Sequence, residues 1–382
     1  MGAQTTDRMR AWVEVDLEAL RRNAERIAAH VAPARVIPMV KADGYGLGAV
    51  PVARALAATD RYAFGVATVD EGVVLRRAGI DGRIIVFAAC ARTDAEGLRE
   101  HSLEASVIGR DGLQDLARAG VVLHLELDTG MGRAGLDSGR VDAWAGDLRA
   151  ALGSGARVAS IFTHFHSASS DEGASREQLA RFEAAIASLD LPADVEFARH
   201  VANSDAIRSD EQYHLDLVRP GLYLYGGGRG GQSPTALAEP EPVASIRARV
   251  LEVRDLTPGS TVSYRATYVT TGDTRLATLG IGYADGLPWR TSNRGEVLIG
   301  GRTAPFRGRV CMDVTAVDVS DLSGVETGDV ATLLGGDGDE RLELRDLAER
   351  SDTIEYEVLT GLGQRLPRVY TGSDGPRQNH DR

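Results

Sequence analysis

Lysine is all but missing from this 382-residue chain: of 43 basic residues, 42 are arginines and the remaining one is Lys41. Cysteine is nearly as scarce, with only Cys90 and Cys311, so no disulfide framework can be built and a reducing cytoplasm is expected. A formal net charge of −12 gives no electrostatic footprint for a polyanion. Long apolar runs are lacking too. The longest, such as "RIIVFAAC" at 83–90 and "GVVLHL" at 120–125, fall far short of the ~20 residues of a bilayer crossing, and the N-terminal "MGAQTTDRMR" has no signal-like stretch. These deficits leave small molecules and further copies of the chain as the expected partners, with no nucleic acid and no membrane.

The single lysine therefore needs a reason. Arginine serves wherever a surface positive charge is enough. Lysine differs in that its amine can lose a proton and act as a nucleophile or a base. Lys41 stands at the end of the apolar run "RVIPMV" and opens "KADGYGLG".

What is present is a regular alternation. "LEALRRNAERIAAHV" (17–31) has helical spacing, and strand-like runs recur at "ARVIPMV", "YAFGVA", "RIIVFAA", "LEASVIG", "VVLHLELD", "RVASIFTHF", "EFARHVAN" and "DLVRPGLYLYG". Continuous apolar strands parted by helices predict a buried parallel sheet. About eight such units over residues 11–240 suit a closed (β/α)8 TIM-like barrel better than an open, doubly wound sheet. "WVEVD" (12–16) is placed at its start. The glycine-rich "GGGRGGQSPTALAEPEP" (226–242) reads as an interdomain linker rather than a phosphate loop, because no helix follows it. Residues 241–371 then alternate and turn tightly, predicting a mainly antiparallel β domain with which residues 1–10 associate. The Gly-Gly between "EVLI" and "RTAPF" is the expected hairpin turn, and 372–382 a disordered tail.

In a β/α barrel, chemistry gathers at the C-terminal strand ends. There the chain puts Lys41, Arg133 in "GMGR", His164 and His166 in "THFH", Asn203 and Ser204 in "HVANS", and Arg219 and Gly221 in "VRPG". A lysine ringed by arginines, a histidine and small polar residues suits a Schiff base to a phosphorylated aldehyde.

The ordered motifs "VKADGYGLG", "LDTGMGRAGL", "FTHFHSA", "HVANS", "VRPGLYLYG", "LGIGYADGLPWR", "GRVCMDV" and "IEYEVLTGL" resemble those of the alanine racemases, the fold-type III pyridoxal phosphate family, from about residue 11 to 370. The resemblance implies an isomerase that interconverts L- and D-alanine and supplies D-alanine for peptidoglycan. It further implies a pyridoxal 5′-phosphate cofactor, an amino-acid substrate and a homodimer with shared active sites. Carried over by motif, Lys41 holds the coenzyme and acts as one base. Tyr45, Asn203, Ser204, Gly221 and Tyr356 serve the phosphate end, and Arg219 faces the pyridine nitrogen. His164 joins a polarising relay Tyr283–His164–Arg219. Arg133 and the backbone at Met312 take the substrate carboxylate, and Tyr283 from the partner is the second base. The chemistry needs two bases, because one base returns a Cα proton to the face it left. A guanidinium opposite the ring nitrogen weakens the ring as an electron sink and so limits transamination.

Two positions depart from the family pattern. Leu47 stands where a histidine is usual. Glu126, seven residues before Arg133, replaces a lysine that is often carbamylated; it is either a built-in anion that orients Arg133 or ordinary drift. Other readings are a racemase of serine or of a wider amino-acid range, and a metal-dependent barrel hydrolase using His164, His166, His200 and Asp313. No metal is expected, and Cys311 is expected to be a packed core thiol.

Overall fold

The computed structural model describes residues 6–88, 92–191, 195–230 and 234–372; Cys90 and, of the tail expected at 372–382, residues 373–382 lie outside them. Eight parallel strands close a barrel in which each short apolar run is followed by a helix or turn. Six of them pair consecutively: Phe64–Val66, Ile84–Val86, Glu104–Val107, Leu123–Asp128, Val158–Phe162 and Ala198–His200. Two more, Arg35–Val36 and Leu217–Val218, pair with each other. Single parallel bridges join the sets, Met39 to Gly65 on one side and Asn203 to Arg219 on the other, so the ring is continuous. Val36, Phe64, Ile85, Leu125 and Ile161 are all buried, as strands covered on both faces must be.

The helices start where their side chains can satisfy free N–H groups. Asp16 accepts from the amides of Glu18 and Ala19 to open Leu17–Val31. Thr68 and Glu71 form a reciprocal capping box at Val69–Arg77. Leu17–Val31 buries Leu17, Leu20, Ile27 and Val31 against the barrel, each contributing roughly 1.5–3 kcal/mol.

The second sheet has nine strands built around Ala244–Leu256. Its first half pairs with Ala11–Asp16 and Val330–Asp337, and its second half with Thr274–Leu279. A register shift between Val250 and Glu252 marks the change of partner, as bulged strands do at sheet corners. Gly300 and Gly301, with φ of 57° and 72°, make the two-residue turn between Glu296–Ile299 and Arg302–Pro305.

One placement differs from expectation. Ala11–Asp16 does not begin the barrel; it lies in the second sheet, antiparallel to Ala244–Leu256 and parallel to Arg368–Thr371. Its pattern fits either sheet, and the pairing with Ala244–Leu256 decides, with Glu14 meeting Arg247 of that strand at 3.1 Å. The helices Leu344–Arg350 and Glu355–Thr360 are further additions to a domain that reads as strand and turn. The segment around 226–242 is tied down at its far end. Glu241 exchanges backbone hydrogen bonds with the Asn23 amide and pairs with Arg22 and Arg26.

Candidate active site

Lys41 begins a tight left-handed turn at the C-terminal mouth of the barrel. Ala42, Asp43 and Tyr45 have φ of 52°, 52° and 55°, a conformation L-residues adopt only when neighbours hold it. Those neighbours are plain. Glu71 accepts from the amide of Ala42 at 2.7 Å, and Asp43 from the amide of Ala49 at 2.7 Å. Arg368 of the second domain grips the carbonyl of Gly46 at 2.8 and 3.0 Å, and Tyr370 donates to the carbonyl of Leu47. Leu47 is fully buried beneath the turn. Solvent reaches the Lys41 tip, but the dense barrel mouth pulls its pKa below the usual lysine range by desolvation. Arg133 lowers it further, Glu71 opposes, and Arg219 adds to the lowering.

Arg219 is almost completely buried. Its guanidinium donates to His200 Nδ1 at 2.5 Å and to the carbonyls of Thr163, Val201 and His200 at 2.8 to 3.2 Å. Burial lowers its pKa to about 10, which leaves it charged at neutral pH. His164 Nδ1 lies 3.5 Å from Arg219 Nη2. Desolvation, then Arg219, Arg133 and Lys41, push the His164 pKa down to about 3, so its ring is neutral. Arg133 reaches to 3.7 Å from Glu126, itself a buried carboxylate whose pKa is raised by burial against the pull of Arg133 and Arg219.

A second cluster lies beside the first. Ser204 Oγ accepts from the amides of Gly221 and Tyr223 at 2.9 and 3.3 Å. Tyr45 stacks on Tyr225 with ring centroids 4.5 Å apart and stands 6.1 Å from the Tyr356 ring. A Cβ on Gly221 would fall 2.1 Å from Tyr45 Oη, so that close approach requires glycine. With both amides donating to Ser204 Oγ, its hydroxyl proton is left to donate outward, and this hydroxyl with the phenols of Tyr45 and Tyr356 makes one cradle, a donor set that fits a phosphate. Asn203 is next in sequence, but its side chain caps Ser204–Ser209 through the amide of Ala206.

Tyr283 and Met312 are exposed together on the second domain. The amides of Tyr283 and Ala284 donate to the carbonyls of Cys311 and Met312. Behind them Asp285, fully buried, holds the turn through the amide of Gly282 and through Arg10 and Arg365. No contact of Tyr283 or Met312 with Lys41 occurs within the chain among the described residues. Cys311 is only half-buried, 3.3 Å from Ser263 Oγ, rather than packed in the core.

The histidines named for a metal site are engaged separately: His166 with Ser167, His200 with Arg219, while Asp313 pairs with Arg365. Among the described residues no three His, Cys, Asp or Glu side chains converge on one point. Glu71, Arg368, Asp285 and the partners of His200 escape a reading by motif, since each acts through a neighbour.

Comparison with known proteins identifies the family and the fold. Residues 15–228 match the family of alanine racemase N-terminal domains, and residues 243–370 that of alanine racemase C-terminal domains. The chain is similar to the alanine racemase of Carboxydothermus hydrogenoformans, 37% identical over 94% of this chain and 99% of that one. It superposes with a TM-score of 0.90 on the alanine racemase of Streptomyces lavendulae, a D-cycloserine producer, at 34% identity over 96% of this chain and 98% of that one. The Bartonella henselae alanine racemase, solved with covalently bound pyridoxal phosphate, superposes with a TM-score of 0.85 at 30% identity, covering 94% and 99% of the two chains. The chain belongs to the alanine racemase family and is an amino-acid racemase.

Proposed function

We propose that this chain racemises alanine with pyridoxal 5′-phosphate, using two bases from two subunits of a homodimer. The observation that carries the reading is the gathering of a lysine of lowered pKa, two arginines and a phosphate-fitting cradle at one barrel mouth. Tyr45, Ser204, the Gly221 amide and Tyr356 would hold the phosphate, with Asn203 shaping the helix that presents Ser204. Lys41 would hold the coenzyme covalently, and Arg219 would face its ring nitrogen. The coenzyme, when bound, supplies an aldehyde for amines and a ring that spreads the negative charge left at Cα.

The remaining work falls to the chain. Arg133 and the backbone at Met312 orient the substrate carboxylate, with Glu126 as a permanent anion behind Arg133. Lys41 Nζ takes or returns the Cα proton on one face, and Tyr283 of the partner subunit does so on the other. The exposure of Tyr283 and Met312, and the buried Asp285 that stiffens their turn, suit residues that serve a neighbouring copy. Arg219, remaining a cation, cannot give the ring nitrogen the stabilisation a carboxylate would, so racemisation is favoured over transamination. The expected setting is the cytoplasm, where D-alanine feeds peptidoglycan; no helix among the described residues is long and apolar enough to cross a membrane.

The scarcity of lysine makes the test clean. Borohydride reduction of the coenzyme-loaded protein should add one coenzyme mass to the peptide bearing Lys41. Lys41→Arg should lose the adduct and slow alanine inversion by at least about a thousandfold, as removal of a covalent catalyst does. An arginine variant that still inverts alanine at the normal rate refutes the reading. A panel of L-amino acids followed by Cα deuterium exchange fixes the substrate range.

A further inference from the structure

The barrel interior holds a line of polar side chains that the racemase reading leaves unused. It starts at Arg219 and runs to the opposite end of the barrel. Beyond the Arg219–His200 contact, His200 Nε2 lies 2.8 Å from Ser160 Oγ, and Ser160 Oγ lies 2.6 Å from His124 Nδ1. His124 Nε2 lies 2.9 Å from Glu104 Oε2, and Arg83 Nε closes the far end on Glu104 at 2.8 and 3.0 Å. His124, Ser160 and His200 have no exposed surface.

Strand stagger brings these residues into line. Glu104 opens its strand, His124 is second in its own, Ser160 third, His200 last, and Arg219 follows Leu217–Val218. His124 and Ser160 are register partners, and His200 stands two residues beyond Ala198, the partner of Ser160. Glu104 to His124 and Ser160 to His200 each rise two residues toward the C-terminal mouth, while His124 and Ser160 lie level.

The two ends dictate the direction of every link. A guanidinium only donates, and a carboxylate only accepts. His200 Nδ1 must accept from Arg219, so its proton sits on Nε2 and is given to Ser160. The Ser160 hydroxyl then donates to His124 Nδ1, and His124 Nε2–H donates to Glu104. Both rings must be neutral for this pattern, and burial lowers the pKa of each. The four links therefore share one polarity and end on the cation at the barrel mouth.

We infer that Glu104, His124 and Ser160 are positioning residues for Arg219, acting through a one-way hydrogen-bond chain that holds the His200 lone pair against the guanidinium. The role rests on the reading of Arg219 as the ring-facing cation; the chain itself is a property of the protein without coenzyme. Loosening it would let the guanidinium shift from the ring nitrogen, and the restraint on transamination would weaken.

Ser160 is the link to cut, because alanine removes only its hydroxyl and threonine keeps it. Nitrogen-15 NMR of histidine-labelled protein without coenzyme, with the His124 and His200 signals assigned by His124→Gln and His200→Gln, should show both rings neutral with the proton on Nε2 and not titrating between about pH 6 and 9. In Ser160→Ala those two signals should move. In the loaded enzyme the same variant should lower kcat about tenfold, comparable with losing an outer partner of other buried site groups, at unchanged KM, and raise the share of turnovers ending in transamination. Ser160→Thr should restore all three readouts. Three results overturn the inference: a His124 or His200 ring that carries the proton on Nδ1 or titrates; a Ser160→Ala enzyme with a lower Tm but unaltered kcat and transamination share; or a threonine variant as impaired as the alanine one. Failure of the unaltered protein to racemise refutes the functional reading instead, and the histidine signals still test the chain.

Discussion

Glu126 shows how a single residue can carry an inference that motif comparison leaves open. It is nearly buried, and it faces Arg133 across 3.7 Å. Burial raises its pKa, yet two nearby guanidiniums favour the charged form, so the site holds it in opposed balance. A carboxylate built into the chain has no need of carbon dioxide to exist. Added or depleted bicarbonate should therefore leave activity unaltered. Glu126→Gln should loosen Arg133 and raise the alanine KM several-fold, with a smaller change in kcat, since Arg133 is assigned to the substrate carboxylate. Steady-state kinetics in both directions measure this, and an unmoved KM would make Glu126 a matter of drift. Lys41 teaches the same lesson from the other side. Its scarcity marks it in the sequence, but its lowered pKa arises first from desolvation in the folded barrel mouth and then from Arg133, with Arg219 adding to it against Glu71, all groups that only the fold brings together.

Among the elements, the turn from Lys41 to Gly46 and the approach to Gly221 matter most. The turn is left-handed through non-glycine residues, and a Cβ at Gly46 would meet the Leu359 carbonyl at 2.3 Å. Only the packed surroundings make it stable, namely Glu71 from the first turn of the helix Val69–Arg77 and Arg368 from the other domain. Gly221→Ala should push Tyr45 out of the cradle, because the new methyl would sit on its hydroxyl. Overpacking of this kind costs about 1–3 kcal/mol, so coenzyme affinity should fall on the order of tenfold or more in a direct titration. The strand "VVLHLELD" was legible as apolar and buried; that His124 and Glu126 within it face inward needed the barrel to close around them. "WVEVD" misleads on register and place, since its pattern fits either sheet and only the pairing with Ala244–Leu256 decides.

The whole molecule is interlocked: its first strand completes the second sheet, and the last strand's Arg368 braces the lysine turn. It also buries His124, His164 and His200 as neutral rings, with pKa values lowered by desolvation and, at His164, to about 3. In the unfolded chain these histidines titrate near the ordinary value of about 6.5. Below that pH the unfolded state binds more protons, so native stability is full above about 6.5 and falls as the pH drops toward the folded values. Each such proton removes about 1.4 kcal/mol per pH unit. Tm should decline from pH 7.5 to 5, and His164→Gln should make that decline shallower. A Tm independent of pH in that range would mean the rings are not held neutral.

The sequence alone determined the class of the molecule. Alternating apolar runs specify a buried parallel barrel, the change to tight alternation marks a second domain, and one lysine among 42 arginines marks where covalent chemistry belongs. Those signals are local, so they survive without coordinates. The tertiary structure decided which sheet takes the first strand, which groups shift the lysine's pKa, and which interior side chains join Arg219 to Glu104. These depend on strand stagger and ring closure, which bring residues as distant as Glu104 and Arg219 into one line, and no spacing along the chain encodes that.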